Sequence, residues 1–129
     1  MSANGTLDTF ITSSARSVPA PSSTATSQQI RDRGSLFTAT IYPASSIAEV
    51  RRALAHLKSV VHASKPATHD VAAWRCMVLK PGRTGLAGPD DFELVSGCED
   101  DGEKYAGKKV LGVMQNEGII DAVVIVSRW

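Results

Sequence analysis

Four carboxylates stand within five positions, at Glu99, Asp100, Asp101 and Glu103, just where a strand pattern gives way to a helix pattern. The first turn of a helix has free N–H groups and a partial positive charge, so acids are favoured there. Asp100 followed three residues later by Glu103 reads as a capping box. A cap takes one or two acids, and four repel one another. The surplus therefore points to a surface that binds a basic protein partner or a divalent ion. The spacing is not that of an EF-hand loop, which alternates oxygen ligands and ends on a distant glutamate. Nor does it make a hydrolase, since general acid–base work needs a carboxyl whose pKa has been raised to its task.

Other residues with chemical potential lie at strand ends. His69 reads as a turn histidine bonded to backbone, with catalysis or metal binding as the sharper alternative. His56 and His62 fall within and at the end of a helix and read as structural, His62 where a cation meets the negative end of the dipole. Cys76 and Cys98 match no zinc or redox spacing and suit reduced, buried thiols of a cytoplasmic protein. A pairing of either with His69 would be the enzymatic reading, but no nucleophile motif accompanies it. Arg75 sits in an otherwise apolar strand and must find a partner, expected to be an acid of the 99–103 segment. Arg128 makes the same demand. His69, Arg75, the acidic turn and Arg128 are expected to line one polar patch.

The elements that position these residues are legible in outline. The chain has 129 residues, 43% of them hydrophobic, and a formal net charge of +1, enough for one domain with a single core. That charge balance gives no electrostatic mandate for nucleic acid. No apolar run is long enough to span a membrane, and there is no hydrophobic core of a secretory signal. Residues 1–29 are rich in Ser, Thr and Ala and are expected to be a disordered tail. Leu7, Phe10, Ile11 and Ser14 could share a helical face, as in a mitochondrial presequence, although Asp8 and a lone Arg16 argue against it.

A strand is predicted from Leu36 to Tyr42, with a further short one just before it. Ser46 to Glu49 forms a capping box that opens a helix, with Ile47, Val50, Leu54, Leu57 and Val61 as its buried stripe. A strand from Val71 to Leu79 puts Trp74, Cys76 and Val78 on one face and Ala73, Arg75 and Met77 on the other. Lys80 to Asp91 is all turn chemistry and reads as a long, mobile hairpin loop before a strand at Phe92–Ser96. A second helix uses Ala106, Val110, Val113 and Met114 and stops at Asn116–Gly118. Ile119 to Val126 is nearly continuous apolar sequence, as in a central strand covered on both faces. The order gives an α+β fold: a mixed sheet with helices on one face.

Four segments in order resemble the IMPACT family: Asp32–Phe37, Ala67–His69, Asp100–Glu103 with Ala106–Gly107, and Val126–Trp129. The resemblance covers the chain from about Asp32 onward. It implies the family's N-terminal domain, residues 30–129, with the left-handed βαβ fold of a small-subunit ribosomal protein and of a domain of the translocase elongation factor. The family pattern runs on past Arg128–Trp129 into a glycine turn and a final helix, so the domain is expected to be truncated, marginally stable and prone to associate.

The resemblance also implies regulation of translation under amino-acid starvation, by competition for a ribosome-associated coactivator of the kinase that phosphorylates initiation factor 2. Relatives with that role carry an N-terminal RWD domain, and residues 1–31 are too short and polar to be one. The expected protein is thus a non-enzymatic, cytoplasmic regulator without cofactor or metal. It would act through protein or ribosome contacts at Glu99, Asp100, Asp101, Glu103, His69, Arg75 and Arg128. An RNA-binding module of the translation machinery and a small metal-dependent hydrolase are the alternatives from other classes.

Overall fold

Strand β1 is Ala25–Thr26, β2 Ile30–Asp32 and β3 Ser35–Pro43 in the computed structural model, which describes residues 19–129. Helix α1, Ile47–His56, runs on through a π-turn at Leu57–Val61 to β4, His69–Leu79. Strand β5 is Phe92–Glu99, helix α2 Ala106–Glu117 and β6 Ala122–Arg128. The sheet order is β1-β3-β6-β4-β5, with β2 also on β3, and every pairing is antiparallel.

The α+β class stands, but two expectations about it are corrected. The sheet is not mixed. Each helical crossover skips one strand, so the parallel strands β3 and β4, and likewise β5 and β6, are separated by an antiparallel neighbour. Nor do the helices share a face. Val50, Ala53 and Leu57 of α1 pack with Tyr42, Ala72, Cys76, Val123 and Ile125. Met114 of α2 packs with Ala73 and Ala122, flanked by Ile41, Cys98 and Val124. Successive residues of one strand, Ala72 and Ala73 or Val123 and Val124, go to different clusters, as the two-residue period requires. Strands β4 and β6 are apolar on both sides, so both sides need cover.

A consequence concerns handedness. The path β3–α1–β4 crosses over β6, and β5–α2–β6 returns over β4. Turned half a revolution in the plane of the sheet, the second path matches the first except that its helix lies on the opposite face. The two crossovers therefore have opposite hands, and one of them is left-handed, against a preference of about 98% for the right hand.

Helix α1 begins as its sequence dictates. Ser46 Oγ accepts from the Glu49 N–H at 3.2 Å, while Glu49 Oε1 reaches back to the N–H of Ser45 at 2.7 Å, one residue earlier than a capping box places it. Of the expected stripe Val50 and Leu57 are buried, but Val61 is exposed. The π-turn adds a residue to the last turn and rotates Val61 outward.

The boundary expected at residue 29 cuts through a strip that the sheet holds. Thr24 and Ser27 donate their N–H groups to Ile41 and Ala39 carbonyls, both at 2.8 Å. Main-chain pairing needs no apolar side chains, so composition does not reveal it. Residues 1–18, including the helical face of Leu7, Phe10, Ile11 and Ser14, lie outside the described residues.

The 80–91 loop is organised around one carboxylate. Asp91 is 1% exposed and accepts from Arg83 Nη1 at 2.7 Å, Gly85 N at 2.9 Å and Ala87 N at 3.1 Å. The Arg83 guanidinium above all, with the Ala87 and Gly85 N–H groups, holds its carboxyl below the usual carboxylate range. With the folded pKa lowered, this stabilisation is present above the unfolded value of about 4 and is lost as pH falls through the lower folded one. Hydrogen exchange at Gly85 and Ala87 should stay slow until the pH drops below the ordinary carboxylate range. In Asp91→Asn it should be fast throughout, and equal protection in both proteins would refute the carboxylate's role.

Candidate functional site

Cross-strand register brings the motif segments together at one end of the sheet. On the face that carries α2, Phe37, Arg128 and His69 stand side by side in one row. On the opposite face the next row is Thr38, Ser127 and Asp70, all buried. Ser127 Oγ donates to Asp70 Oδ1 at 2.6 Å, a charge-assisted bond that ties β6 to β4 inside the protein.

The acidic turn closes over this end, and three of its four acids have separate intramolecular duties. Asp100 accepts from the N–H groups of Tyr105 at 3.1 Å and Gly107 at 2.8 Å, so it caps α2 from outside the helix. Asp101 Oδ2 accepts from the Asp70 N–H at 2.7 Å and locks the turn to the start of β4. Glu103 Oε2 pairs with Arg128 Nη1 at 2.7 Å. Glu99, the fourth, is exposed.

The expected capping box is thus corrected: the N-cap residue is Tyr105, and Glu103 turns toward Arg128 instead of its own helix. The reason is backbone geometry. Asp101, Gly102 and Tyr105 all take left-handed φ values of 48°, 86° and 66°, which fold the turn back on itself and carry Asp100 to the helix start. Glycine at 107 is required for that approach, because a Cβ there would sit 2.8 Å from Asp100 Oδ1 and 3.0 Å from Cys98 Cβ.

His69 Nδ1 donates to the Asp101 carbonyl at 2.7 Å. That bond fixes the proton on Nδ1 in the neutral ring and leaves Nε2 as an acceptor. Arg128 also donates from Nε to Ser35 Oγ at 3.0 Å, and its guanidinium lies 5.7 Å from the Phe37 ring centroid. The side chains of Arg128 and Glu103 are only partly covered, and Tyr105 and Lys104 beside them are exposed. His69, the 101–103 turn and Arg128 therefore form one surface.

Arg75 is not part of it. Its Nη1 donates to the carbonyls of Ile119 at 3.0 Å and Met114 at 3.5 Å, at the far end of α2. The Met114 carbonyl already accepts from the Ile119 N–H at 2.9 Å, so the Ile119 carbonyl just past the helix is the main acceptor. The negative end of the α2 dipole favours the cation that the sequence assigned to an acid.

Sequence reasoning passed over Asp70 as a site residue and gave Ser35, Phe37 and Ser127 no individual role. Their signal is a polar or aromatic residue near one end of a strand, the start of β3 and β4 and the end of β6, which becomes meaningful only once the register is known.

The geometry offers little for hydrolysis. Ser127 is buried with its hydroxyl committed to Asp70. Burial, then the charges of Asp121 and Glu49, pushes the Cys76 thiol up, and Cys76 faces α1 while His69 faces the other side. Cys98 lies in the row of Ala73, four residues along β4 from His69, or about 13 Å. Among the described residues no group of three or more His, Cys, Asp or Glu is placed to hold a metal ion.

A family model described as "Impact N-terminal domain" matches residues 33–129. The chain is 33% identical over 102 residues to Protein IMPACT of Xenopus laevis, covering 79% of this chain and 29% of that protein. Protein IMPACT of Homo sapiens is 31% identical over 100 residues, covering 78% and 28%. The chain thus spans less than a third of the length of these curated relatives. Among solved structures it resembles the two-domain translational regulator Yih1, with a TM-score of 0.57 and 27% identity over 85% of this chain and 37% of that one. A crystal structure of a hypothetical protein gives a TM-score of 0.52 and 28% identity over 84% and 45%.

The division of labour in the turn predicts unequal effects on stability. Asp100→Ala leaves two helix N–H groups unmet and should cost about 1–2 kcal/mol in urea unfolding. Asp101→Asn keeps an acceptor for the Asp70 N–H and tolerates the left-handed backbone, so it should cost under about 0.5 kcal/mol. Equal losses would mean that Asp100 does not hold the helix start.

Proposed function

This chain belongs to the family of Impact N-terminal domains, and from that premise we propose that it regulates translation through contacts with a protein or the ribosome rather than by catalysis. The likeness to Yih1, described as a two-domain translational regulator, supports this reading. The observation that carries it is the gathering of the motif segments into one solvent-facing surface at the end of the sheet. Most of its polar groups are already fixed by neighbours: Arg128 by Glu103 and Ser35, His69 by Asp101. A preorganised surface with an arginine on an aromatic ring loses little entropy on binding and suits a protein partner.

The finer form of the proposal is restraint of the kinase that phosphorylates initiation factor 2 during amino-acid starvation, in the cytoplasm, by contact with its ribosome-associated coactivator. Glu99, Asp101, Glu103, His69 and Arg128 would supply the contact, with Asp100 holding the turn in place. Among the described residues no helix is long and apolar enough to cross a membrane.

The charge swap Glu103→Arg with Arg128→Glu tests the surface. It preserves an ion pair across the same gap while reversing what a partner meets. The ion pair itself contributes little, but Arg128→Glu also gives up the bond to Ser35 and the place over Phe37, so stability should fall by about 1–3 kcal/mol. Co-sedimentation with ribosomes and capture of the purified coactivator should both fall at least tenfold. In starved cells, wild type should lower phosphorylation of initiation factor 2 and the swapped protein should not. Unchanged association in a stably folded swap would refute the surface. Binding that collapses steeply with salt and persists on ribosomal RNA alone would instead mark phosphate contacts.

A further inference from the structure

Strand β5 closes one side of the sheet, and among the described residues β4 is its only strand neighbour. Its outer row of N–H and C=O groups therefore has no strand to pair with among the described residues. Edges of this kind are normally blunted by charged side chains, proline, a bulge or a covering element. Phe92–Glu99 has no proline and pairs residue for residue with Leu79–Ala72 without a bulge, and its charged residues are the two glutamates at 93 and 99.

The side chains along this edge define what it would accept. Glu93 lies opposite Val78 and Glu99 opposite Ala72, so both point to the face that carries α1. They are exposed and stand six residues apart, about 20 Å along the strand. Between them the indole of Trp74 lies across Gly97: a Cβ at that glycine would be 2.5 Å from the ring. The indole is partly exposed and borders the edge. On the other face Leu94 is 42% exposed. A second copy of the strand fits poorly, because Phe92–Glu99 carries two carboxylates and no cation.

We propose that the free edge of β5 is a docking site for an extended, basic segment of a partner protein, which adds to the sheet as an antiparallel strand. Main-chain hydrogen bonds hold the segment, and side chains select it. Lys or Arg residues six positions apart meet Glu93 and Glu99, and the residue opposite Gly97 reaches the indole, where a guanidinium is favoured over the ring. An apolar residue next to the cation at Glu93 covers Leu94. This edge lies beside the turn at Asp100–Glu103 and shares Glu99 with the contact proposed above. Main-chain pairing to β5 and Glu93 belong to the edge alone, so loss on N-methylation reads the edge and not that contact.

The test uses three synthetic ten-residue β-forming peptides on the purified chain. One has Arg at the two positions facing Glu93 and Glu99 and Val facing Leu94. The second is the same peptide N-methylated at the amides that would pair with β5, and the third has Glu in place of both Arg. The first should bind and slow hydrogen exchange along β5. N-methylation should weaken binding at least tenfold, since it removes main-chain donors while keeping the charges. The double variant Glu93→Lys with Glu99→Lys, checked by its unfolding curve, should lose the first peptide and gain the third. Equal binding of the N-methylated peptide, protection only outside β5, or no binding of the first peptide at millimolar concentration would overturn the proposal. So would a wild-type chain that dimerises through β5 and excludes the peptide.

Discussion

Strand β6 pairs with β3 along one edge and β4 along the other, so its backbone is satisfied within the sheet and its two faces have to be covered from opposite sides. Most of the architecture answers to that constraint. Val123 and Ile125 call for α1, and Ala122 and Val124 for α2. Two helices on opposite faces, each crossing over one strand, require crossovers of opposite hand. The uncommon left-handed one is thus a consequence of where the apolar residues of β6 and β4 lie.

The same strand delivers the site. Its last residues carry Ser127 inward to Asp70 and Arg128 outward to Glu103, as alternation along a strand must. The inner bond fixes the spacing of β4 and β6 at their ends, and the outer pair anchors the turn that follows β5. A rigid frame beneath an irregular turn lets a loop present chemistry without fraying. Three left-handed residues within five positions are tolerated because Asp100, Asp101 and Glu103 each tie the turn to a different element.

Fully or partly buried carboxylates serve as organising centres three times in this small protein. Asp91 gathers the 80–91 loop, Asp70 joins two strands, and Asp100, only partly covered, starts a helix. In each case the acid accepts from backbone N–H or hydroxyl groups that would otherwise be unpaired, so its burial is offset by bonds stronger than neutral ones. Within 99–103, Asp100, Asp101 and Glu103 each have an intramolecular partner, which accounts for three of the four acids there. Leu86, 91% exposed between two residues that bond Asp91, is held in place by the loop's polar interior.

Much was legible in the order of residues. The elements, their faces and the apolar stripe at Val50 and Leu57 follow from periodicities of 3.6 and 2, and the stop at Gly118 from its left-handed backbone. The family, too, was readable from four short segments in order, and so was the meeting of His69, the acidic turn and Arg128. What the order of residues could not carry was the pairing of partners distant in the chain. Nothing local distinguishes an arginine that will meet an acid from one that will meet helix carbonyls, so Arg75 was assigned to the wrong end of α2. Nothing local says that Asp100 caps from seven residues before Gly107, that Asp70 bonds Ser127, or that two helices of similar pattern cover opposite faces. Those outcomes depend on strand register and on which side each crossover passes, and only packing of the whole sheet decides them.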